Sequence, residues 1–494
     1  MPKVTINRFD NGQAEDVRTT SDFFCEQSYN FDITTKPHSL IPKRDMVAET
    51  FSGGTITDYD ITDVVPATYS SNTYIFGYGR ESSSSTKAAF FRKSSTSSIS
   101  SAWQLVVAYT VSSTTPVAGT LVEYRNKLYA LTSSNLIELT DLSTITFQGN
   151  IVGTANANGV KPLVHPEDDI LYFANANVVG SYDGLTDTFT GTAYEVPEGM
   201  VITSLTTFGA DLAVACKPVT GQGRSKVFIW NRDTSTTLAR AVIDWGDNAL
   251  EILENLNEVL VGISTTKNVG GYTTNNDYKY SVKVYAGGTP QTVAEFTRSS
   301  YFVLKPYKAK DTDKIYFGFD TDNVVYTVGK NKQGRYFVCG ESYVTPTGSF
   351  PVGALTGISL VSDTLFVSYT DNVSGYLTRT TTTYANDSVY LTTINPSMDE
   401  TDFFLKKKLK RVMVAYNVKS ANGTVELGYY ADDAGTLKNI VSKTQASTGQ
   451  YLLKEAKREN GEPFQDAYEY QFRIVSTGNV EIKSLIYEYE VVEK

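Results

Sequence analysis

EDDILYFAN, residues 167–175, is the stretch of this sequence that decides the fold. A turn residue, Asp169, is followed at once by an apolar, aromatic-rich run that ends in small residues. Asp and Asn favour turns because their side chains bond to nearby backbone groups, and aromatic and β-branched residues suit half-buried pleated surfaces. The stretch therefore predicts a turn that leads into a β-strand.

The same marker returns along the chain. It reads SNTYIFGYG at 71–79, RNKLYALTS at 125–133, GADLAVACK at 209–217, LNEVLVGIS at 256–264, TDKIYFGFD at 312–320 and SDTLFVSYT at 362–370. The copies are separated by roughly 40 to 56 residues, which is the range of β-propeller blades. The repeat predicts a β-propeller of about seven blades.

Each copy has further strands around it. AGTLVEY, residues 118–124, precedes one marker, and SSNLIELTD, residues 133–141, follows it. Three to four strands per unit is the content of a propeller blade. One or more β-sandwiches with evenly spaced strands are the alternative, and the blade-like period of the marker favours the propeller.

The character of the sequence changes after Asn395 and Pro396. KKKLKRVMVAYNV at 406–418, NGTVELGYYADD at 422–433 and DAYEYQFRIVSTGNVEIKSLIYEYEVV at 466–492 predict four strands of a compact β-sandwich. The fold class is therefore all-β, with an extended N-terminal arm over 1–50, a β-propeller over 51–397 and a β-sandwich over 398–494.

Composition excludes several classes of function. The net charge of −10 argues against general affinity for nucleic acid, whose binders need clustered cationic surface. Cys25, Cys216 and Cys339 are odd in number and widely spaced, so no disulfide framework is expected. No window approaches the ~18 apolar residues that would span a bilayer, and we expect no membrane anchor.

Signatures of catalysis are absent from the sequence. The chain has only His38 and His165, and it contains no GxSxG, HExxH, P-loop or GxGxxG motif. We therefore expect no enzyme activity, no catalytic residues, no metal site and no cofactor. Two carboxylate-rich stretches are interpreted as solvated turns, with paired glycosidase carboxylates or Ca²⁺ as the alternatives: Glu167, Asp168 and Asp169, and Asp311, Asp313, Asp320 and Asp322.

One basic run stands at the start of the predicted sandwich. It consists of Lys406, Lys407, Lys408, Lys410 and Arg411. Lysines on an edge strand protect it from unwanted pairing, which is the first interpretation. The alternatives are contact with an acidic face of a neighbouring subunit and contact with nucleic-acid phosphate.

The leader is polar but rich in aromatic side chains. FDNGQAEDVRTTSDFFCEQSYNFDI, residues 9–33, contains Phe9, Phe23, Phe24, Tyr29 and Phe31. A segment of this kind cannot bury its aromatics alone, and such segments gain order by adding a strand to a sheet edge. The sheet belongs either to another subunit or to the chain's own propeller, and both alternatives place the leader in a β-ladder.

Short motifs in the leader carry a resemblance. Residues Phe9 and Gly12 form an F-x-x-G turn, NFD follows at 30–32, and Leu40, Pro42 and Arg44 form an L-x-P-x-R segment. In this order, and before a propeller, the motifs resemble the opening of virion structural proteins of tailed bacteriophages. The likeness extends to the propeller-plus-sandwich plan, including the closing EIKSLIYEYEVV at 481–492.

The resemblance implies a non-enzymatic tail component, nozzle-like or hub-like, that assembles as a ring, often sixfold. Its expected partners are further copies of the chain and other tail or neck proteins, with DNA only in passing if the protein lines a channel. Its expected location is the virion, after synthesis in the host cytoplasm. A glycan-binding or glycan-cleaving propeller, such as a receptor-binding tail protein, is the alternative.

Overall fold

The structure is a computed structural model of the chain. It describes residues 3–6, 27–29, 31–32, 41–42, 44–51, 59–69, 71–81, 87–94, 102–110, 119–132, 135–150, 160–220, 223–235, 238–247, 249–267, 278–298, 304–310, 314–319, 324–330, 336–343, 354–370, 375–384, 388–394, 406–432 and 436–492. Two compact units divide the chain. The propeller unit is Val47–Asn323 with Val344–Thr380, and the sandwich unit is Met1–Met46 with Val324–Tyr343 and Thr381–Lys494.

All regular elements of the described residues are β-strands. The leader supplies β1 (Lys3–Ile6), β2 (Gln27–Tyr29), β3 (Phe31–Asp32), β4 (Ile41–Pro42) and β5 (Arg44–Ala48). The first three blades contain β6 (Tyr59–Tyr69), β7 (Asn72–Glu81), β8 (Lys87–Ser94), β9 (Gln104–Thr110), β10 (Thr120–Tyr124), β11 (Lys127–Leu131), β12 (Asn135–Leu139), β13 (Ile145–Asn150), β14 (Leu163–His165), β15 (Ile170–Asn175), β16 (Val178–Asp183) and β17 (Thr188–Glu195).

The next blades continue the series in chain order. They contain β18 (Met200–Phe208), β19 (Asp211–Pro218), β20 (Lys226–Trp230), β21 (Ala241–Asp244), β22 (Ala249–Leu256), β23 (Val259–Lys267), β24 (Tyr278–Tyr285), β25 (Gln291–Arg298), β26 (Leu304–Lys310), β27 (Lys314–Phe319), β28 (Val324–Lys330), β29 (Tyr336–Tyr343), β30 (Ala354–Val361), β31 (Thr364–Thr370) and β32 (Gly375–Tyr384). Six sheets have four consecutive strands each, and the seventh has the order β30-β31-β32-β5.

The sequence marker coincides with the turn between the first and second strands of a blade. Asn126 and Asn257 have φ of 60° and 52°, and the residues beside them, Arg125 and Glu258, are also at positive φ. Two central residues at positive φ define the type I′ turn that matches the twist of a hairpin. At the other described markers a residue at or beside the turn, Ser71, Asp169, Gly209 or Ser362, also has positive φ. The marker thus recurs because the described blades need a tight turn between the same two strands.

The first and seventh blades meet directly through residues of the propeller unit, whereas β28 and β29 of the sixth blade fall in the segment assigned to the sandwich unit. The hydroxyls of Thr356 and Ser368 both donate to the carbonyl oxygen of Ile61, at 2.8 and 2.7 Å. The backbone N–H of Val64 donates to the Ser359 hydroxyl at 2.9 Å. Radial closure of seven antiparallel four-stranded sheets is the β-propeller architecture, and the predicted fold class is confirmed.

Gly357 lies where the closing blades approach most closely. A Cβ built on this residue would lie 2.4 Å from the carbonyl oxygen of Thr62, which belongs to backbone and cannot turn aside. We expect Gly357→Ala to lower the free energy of unfolding by about 1–3 kcal/mol, the usual cost of overpacking. Urea denaturation measures the change.

Gly191→Ala is the control for Gly357→Ala. Gly191 also lies within a blade strand, but a Cβ there would have only ordinary contact, 3.9 Å from the Phe189 ring. Because an added methyl meets open space at this position, the substitution should leave stability unchanged or slightly raised. Equal losses at the two positions would contradict the close approach at the ring closure.

The C-terminal strands form a β-sandwich in the sandwich unit. They are β33 (Ser388–Ile394), β34 (Lys407–Val418), β35 (Gly423–Ala431), β36 (Lys438–Gln445), β37 (Gly449–Glu455), β38 (Tyr470–Thr477) and β39 (Val480–Val491). One sheet has the order β1-β39-β34-β37 and the other β2-β33-β38-β35-β36. Buried rings from both sheets, such as Tyr416, Tyr429 and Tyr487, share one hydrophobic core.

The leader strands that the structure describes pair with strands of the same chain. β1 adds to β39, with Lys3 opposite Glu488 and Ile6 opposite Leu485. β2 adds to β33, and β3 pairs with β4. The described leader strands therefore pair within their own chain. β1 and β2 extend the two sandwich sheets, and β5 extends the seventh propeller blade.

Candidate functional site

The first strand of each blade forms the inner lining of the ring. β6 contacts the first strands on both sides, β10 and β30, and β22 contacts β18 and β26 in the same way. Charged side chains concentrate on or beside these strands. We call the following five residues the inner-strand cluster: Asp63, Lys161, Glu254, Lys308 and Lys310.

Asp63 is a buried carboxylate that joins three blades. Its Oδ2 accepts the backbone N–H of Leu121 in the second blade at 2.9 Å. Its Oδ1 accepts the Ser359 hydroxyl of the seventh blade at 2.8 Å and the Lys161 ammonium, close to the third blade, at 3.1 Å. Both carboxylate oxygens thus accept hydrogen bonds from protein donors of other blades or of Lys161.

Lys308 is a buried ammonium that joins the fourth, fifth and sixth blades. It donates to the carbonyl oxygen of Leu253 at 2.5 Å and to the Ser204 hydroxyl at 2.8 Å. Glu254 Oε2 lies 2.9 Å from the same nitrogen, and Glu254 Oε1 lies 3.5 Å from Lys310. The pair is therefore both ion-paired and hydrogen-bonded, which a buried charge requires.

The two partners perturb one another's protonation. Burial lowers the pKa of the Lys308 ammonium, and the Glu254 carboxylate opposes that shift. Burial acts to raise the pKa of Glu254, but the ammonium groups of Lys308 and Lys310 outweigh it and hold the pKa below its ordinary value. Glu254 is consequently a carboxylate rather than a carboxylic acid at neutral pH.

A serine beside a lysine, as in Ser204 and Lys308, can act as a nucleophile and its base. Here both side chains are instead bound in contacts between blades. A serine nucleophile needs an exposed hydroxyl and a neutral base that takes its proton. Ser204 is buried, with 3% of its surface exposed, and its hydroxyl donates to the Leu253 carbonyl oxygen at 2.9 Å. Lys308 is held beside a carboxylate. The geometry connects blades and presents no nucleophile.

A second buried cluster follows the leader directly. Glu49 accepts the Lys93 ammonium and the Trp103 indole N–H, each at 2.6 Å, and it also pairs with the Arg379 guanidinium. Lys93 and Trp103 belong to the first blade and Arg379 to the seventh. Phe51 stacks on the Trp103 ring with a centroid separation of 6.0 Å. We call Glu49, Lys93, Trp103 and Arg379 the Glu49 clasp.

Glu49 is as deeply buried as its partners. The exposed fraction of its side chain is 2%, and that of Lys93 is 3%. Burial lowers the pKa of the Lys93 ammonium, and the hydrogen bond to Glu49 opposes this shift. One carboxylate therefore balances two buried cations at the junction of the first and last blades.

The acidic stretch around His165 is a structured turn. Asp168 accepts the Tyr172 hydroxyl at 2.9 Å and pairs with Arg232, whose guanidinium also reaches Glu167 at 3.1 Å. Asp169 is at φ 53° and pairs with Arg125 at 2.6 Å. The interpretation of these carboxylates as turn residues agrees with their contacts, and Arg side chains from two other blades neutralise them.

His165 is fully buried beside this turn. Its Nδ1 accepts the backbone N–H of Glu167 at 3.3 Å, and its Nε2 lies 3.4 Å from the carbonyl oxygen of Asp211. Burial and the adjacent Arg232 cation lower the pKa of His165, against the opposing charge of Asp168, whose Oδ1 is 3.8 Å from Nδ1. The residue is neutral and structural in the folded state.

This pKa predicts a loss of stability in mild acid. The pKa of His165 is lower in the folded chain than the ~6.5 of an unfolded one. As pH falls below that value, the unfolded state binds the proton first, so the free energy of unfolding falls by at most about 1.4 kcal/mol per pH unit. Urea denaturation at pH 7 and pH 5.5 should show it.

His165→Gln is the variant that isolates this contribution. It should reduce the loss between the two pH values, whereas His38→Gln, at the only other histidine, should keep it. An unchanged pH dependence in His165→Gln would show that other groups cause the loss.

The basic run lies in a strand that is inner for only part of its length: the ladder with β37 begins at Val412, so Lys408 to Arg411 have ladder partners in β39 alone. Edge protection by these lysines therefore stays a prediction. β34 lies between β39 and β37, and its ladder with β39 covers the whole strand. Lys410 pairs with Glu490, and Arg411 pairs with Glu488 at 3.1 Å. The acidic closing strand thus neutralises part of the run within the same chain.

The other residues of the run differ in exposure. Lys407 is fully buried and donates to the carbonyl oxygen of Tyr468 at 3.2 Å, whereas Lys406 is exposed. Lys408 is half-buried and lies opposite Glu490 in the ladder.

The structure describes only two of the five leader aromatics that were predicted to make contacts. Tyr29 lies in β2 opposite Val389, and Phe31 lies in β3 opposite Pro42. Phe9, Phe23 and Phe24 lie outside the described residues, as do His38 and the four aspartates Asp311, Asp313, Asp320 and Asp322. The role of the leader aromatics in contacts with other subunits stays a prediction.

Sequence reasoning missed the residues that connect the blades. Thr62, Thr203 and Thr356 each lie at a register shift of a first strand and donate to a carbonyl oxygen of the next blade, at 2.6, 2.6 and 2.8 Å. A signal was present, because each follows a branched apolar residue: Ile61, Ile202 and Leu355. This short pattern recurs one strand before the marker.

Neither a metal-binding cluster nor a membrane-spanning helix is found in the part of the chain that the structure describes. There, no three His, Cys, Asp or Glu side chains lie close enough together to hold a metal ion. Nor does any helix among the described residues have the length and apolarity needed to cross a membrane.

Comparison with known proteins gives structural likenesses only. No protein-family model and no curated protein matches the chain. The structure of BamB from Moraxella catarrhalis is similar over 73% of this chain and 100% of that chain, with 15% identity and a TM-score of 0.39. The WD40 domain of Toxoplasma gondii coronin is similar over 72% of this chain and 88% of that one, with 8% identity and a TM-score of 0.46. Neither likeness bears on function, and the propeller assignment rests on the sheets themselves.

Proposed function

We propose that the chain is a non-enzymatic structural component of a tailed-bacteriophage virion, a nozzle-like or hub-like tail protein that assembles as a ring. The leader motifs around Phe9, Asn30 and Leu40 support the virion part of this proposal. Its partners are then further copies of the chain and neighbouring tail or neck proteins, and its location is the virion after synthesis in the host cytoplasm.

The structural role is supported chiefly by the use of the buried carboxylates. A retaining or inverting glycosidase needs two carboxyl groups that face the substrate, one of them able to give a proton. Asp63 and Glu254, on the inner strands, are each bound to a lysine and to further donors. Glu49 balances two buried cations. These contacts between blades favour a structural role for the three carboxylates.

The same contacts between blades make it costly to separate one blade from the next. Hydroxyl and ionic contacts connect first strands of neighbouring blades, so opening one junction leaves buried polar groups without partners, which costs free energy. A particle component that assembles once would benefit from slow unfolding. The arrangement suits a protein that bears load and carries out no turnover.

The mass of the full-length protein in solution tests the ring. We expect analytical ultracentrifugation at micromolar concentration to give one defined oligomer, with sixfold as the leading number. A shortened chain that starts near Ala48 is not a suitable test of whether the leader drives oligomerisation. It lacks β1, β2 and most of β5, so three of its own sheets would each lose a strand. A folded monomer over the whole concentration range would overturn the ring.

A separate measurement tests the absence of catalysis. Purified protein incubated with bacterial surface polysaccharides should leave their chain length unchanged. Depolymerisation that is lost in a variant of a single carboxylate would replace the proposal with the glycan-cleaving alternative.

A further inference from the structure

The third and fourth blades present exposed leucines and carboxylates at one end of their sheets. In a four-stranded antiparallel sheet, the turn between the first and second strands and the turn between the third and fourth strands lie at the same end. We call these turns of the two blades, together with Asp183 and Asp211 at the adjoining strand ends, the turn platform. Its turns are 166–169 and 184–187 in the third blade and 209–210 and the described part of 231–240 in the fourth.

Two leucines project from the turn platform. The exposed fraction of Leu185 is 74% and that of Leu238 is 77%, the highest values among the large hydrophobic residues of the described chain. Turn tips are ordinarily occupied by Gly, Pro, Asn, Asp and Ser, and burial of an exposed leucine by a partner is favourable. We propose that the turn platform is a docking surface for another protein.

Hydrogen bonds fix the turn that carries Leu185. Asp183 accepts the backbone N–H of Leu185 at 2.8 Å. The backbone N–H of Gly184 donates to the Tyr124 hydroxyl of the second blade at 3.1 Å, and that hydroxyl donates to the carbonyl oxygen of Asp169 at 2.6 Å. A turn that is fixed in this way loses less conformational freedom when a partner binds.

Ionic contacts connect the turns of the two blades. The Arg232 guanidinium, from the fourth blade, pairs with Asp168 of the third blade and reaches Glu167 at 3.1 Å. Leu185 and Leu238 therefore lie on turns of neighbouring blades that are joined at this same end.

The turn platform is acidic. Two of its carboxylates share the Arg232 guanidinium, Asp211 pairs with Arg240 at 2.9 Å, and Asp169 pairs with Arg125 of the second blade at 2.6 Å. The other three carboxylates accept hydrogen bonds from uncharged donors. The platform thus carries seven carboxylates against two guanidinium groups of its own: Glu167, Asp168, Asp169, Asp183, Asp187, Asp211 and Asp233 against Arg232 and Arg240.

This charge defines the chemistry of the partner. An acidic surface repels nucleic-acid phosphate and anionic lipid, and it attracts lysine and arginine side chains. The matching occupant is a lysine- or arginine-rich segment of another protein, with apolar side chains that cover the two leucines. The chain's own basic run matches poorly, because Lys410 and Arg411 already pair with Glu490 and Glu488. The docking surface is therefore independent of the proposed ring.

Three synthetic peptides test the surface by fluorescence anisotropy with the full-length protein. One fluorescein-labelled peptide consists of lysine and leucine, one of lysine and serine, and one of glutamate and leucine. We expect the lysine–leucine peptide to bind, and to bind less tightly as the salt concentration rises. The lysine–serine peptide should bind about tenfold more weakly, since it cannot cover the leucines, and the glutamate–leucine peptide should not bind.

Variants of the turn platform locate the binding. Leu185→Ser combined with Leu238→Ser should weaken binding of the lysine–leucine peptide about tenfold. Both side chains are exposed, so the hydrophobic core stays intact. Asp187→Asn combined with Asp233→Asn should weaken binding and reduce its dependence on salt.

The opposite end of the same two blades provides the matched control. Val219, 66% exposed, follows β19, and the exposed Glu198 lies between β17 and β18. Val219→Ser combined with Glu198→Gln should leave binding unchanged.

Three results would overturn the inference. No binding of the lysine–leucine peptide, or equal losses in the platform and control variants, would remove the docking surface and leave the proposed ring standing. Equal binding of the lysine–serine peptide would remove the role of the leucines. Conversion of the ring to monomers by the double leucine variant, measured by analytical ultracentrifugation, would assign the surface to contact between copies instead of to another protein.

Discussion

Replacing Glu49 with Ala is expected to lower the free energy of unfolding by about 3–5 kcal/mol, the usual cost of removing one partner of a buried ion pair. The substitution removes the carboxylate that contacts both Lys93 and Arg379, and the exposed fraction of the Lys93 side chain is only 3%. It also removes the acceptor of the Trp103 indole N–H. The contact between the first and seventh blades would then lose the carboxylate that both cations share.

Guanidinium denaturation followed by tryptophan fluorescence measures this change, because Trp103 is part of the clasp. Glu81→Ala is the matched control. Glu81 lies in the first blade and pairs with Lys87 at 3.4 Å, but the Lys87 side chain is 55% exposed. An exposed pair contributes at most about 1 kcal/mol. Similar losses in the two variants would show that the clasp does not hold the blades.

Replacing Lys308 with Met is expected to have a comparable effect, again about 3–5 kcal/mol. Met keeps most of the volume but removes the ammonium that Glu254, Ser204 and the Leu253 carbonyl share. Lys310 and the Thr206 hydroxyl still lower the pKa of Glu254, but burial then raises it with less opposition. If the folded pKa of Glu254 exceeds the ~4.3 of an unfolded chain, the variant loses additional stability as pH rises from about 4.3 towards that folded pKa, because the unfolded state releases the proton first.

Two further variants make the Lys308 prediction specific. Lys310→Met removes a cation from the same carboxylate, but Lys310 is 42% exposed and 3.5 Å away, so its loss should stay within about 1 kcal/mol. Glu254→Leu combined with Lys308→Met removes both buried charges and should recover part of the loss. A double variant less stable than Lys308→Met alone would contradict an ion-pair origin.

The two variants probe opposite sides of one ring. The Glu49 clasp joins the last blade to the first, and the Glu254–Lys308 pair joins blades in the middle of the chain. If stability is distributed around the ring, both should unfold in a single cooperative transition. A separate early transition in Glu49→Ala would show that the ring opens at its closure before the blades unfold.

The sequence predicts the blades well because their signals are local. A hairpin turn needs two residues at positive φ, and the marker supplies Asn or Asp there, as at Asn126 and Asn257. The apolar strand after the turn follows from the need of each blade to bury both faces of its second strand. Turn, strand and spacing all lie within a few tens of residues.

The sequence did not predict the acidic partners of the basic run, and the reason is also physical. Lys on a strand is common at sheet edges, but in β34 the lysines lie beside a closing strand with Glu488 and Glu490. Those two strands are about 80 residues apart in the chain. Pairing at such a separation has no local signature.

Periodicity and turn chemistry act between neighbours in the chain, so the all-β composition and the repeat of the blades could be predicted from the sequence. The start of the second domain could not be placed in this way, because β33 lies before Asn395 and yet belongs to a sandwich sheet. Which charges meet depends on the tertiary structure alone. Asp63 meets Lys161 across 98 residues, and Glu49 meets Arg379 across 330. A ring brings its first and last blades together, and the carboxylates that the sequence leaves unassigned become the contacts that close it.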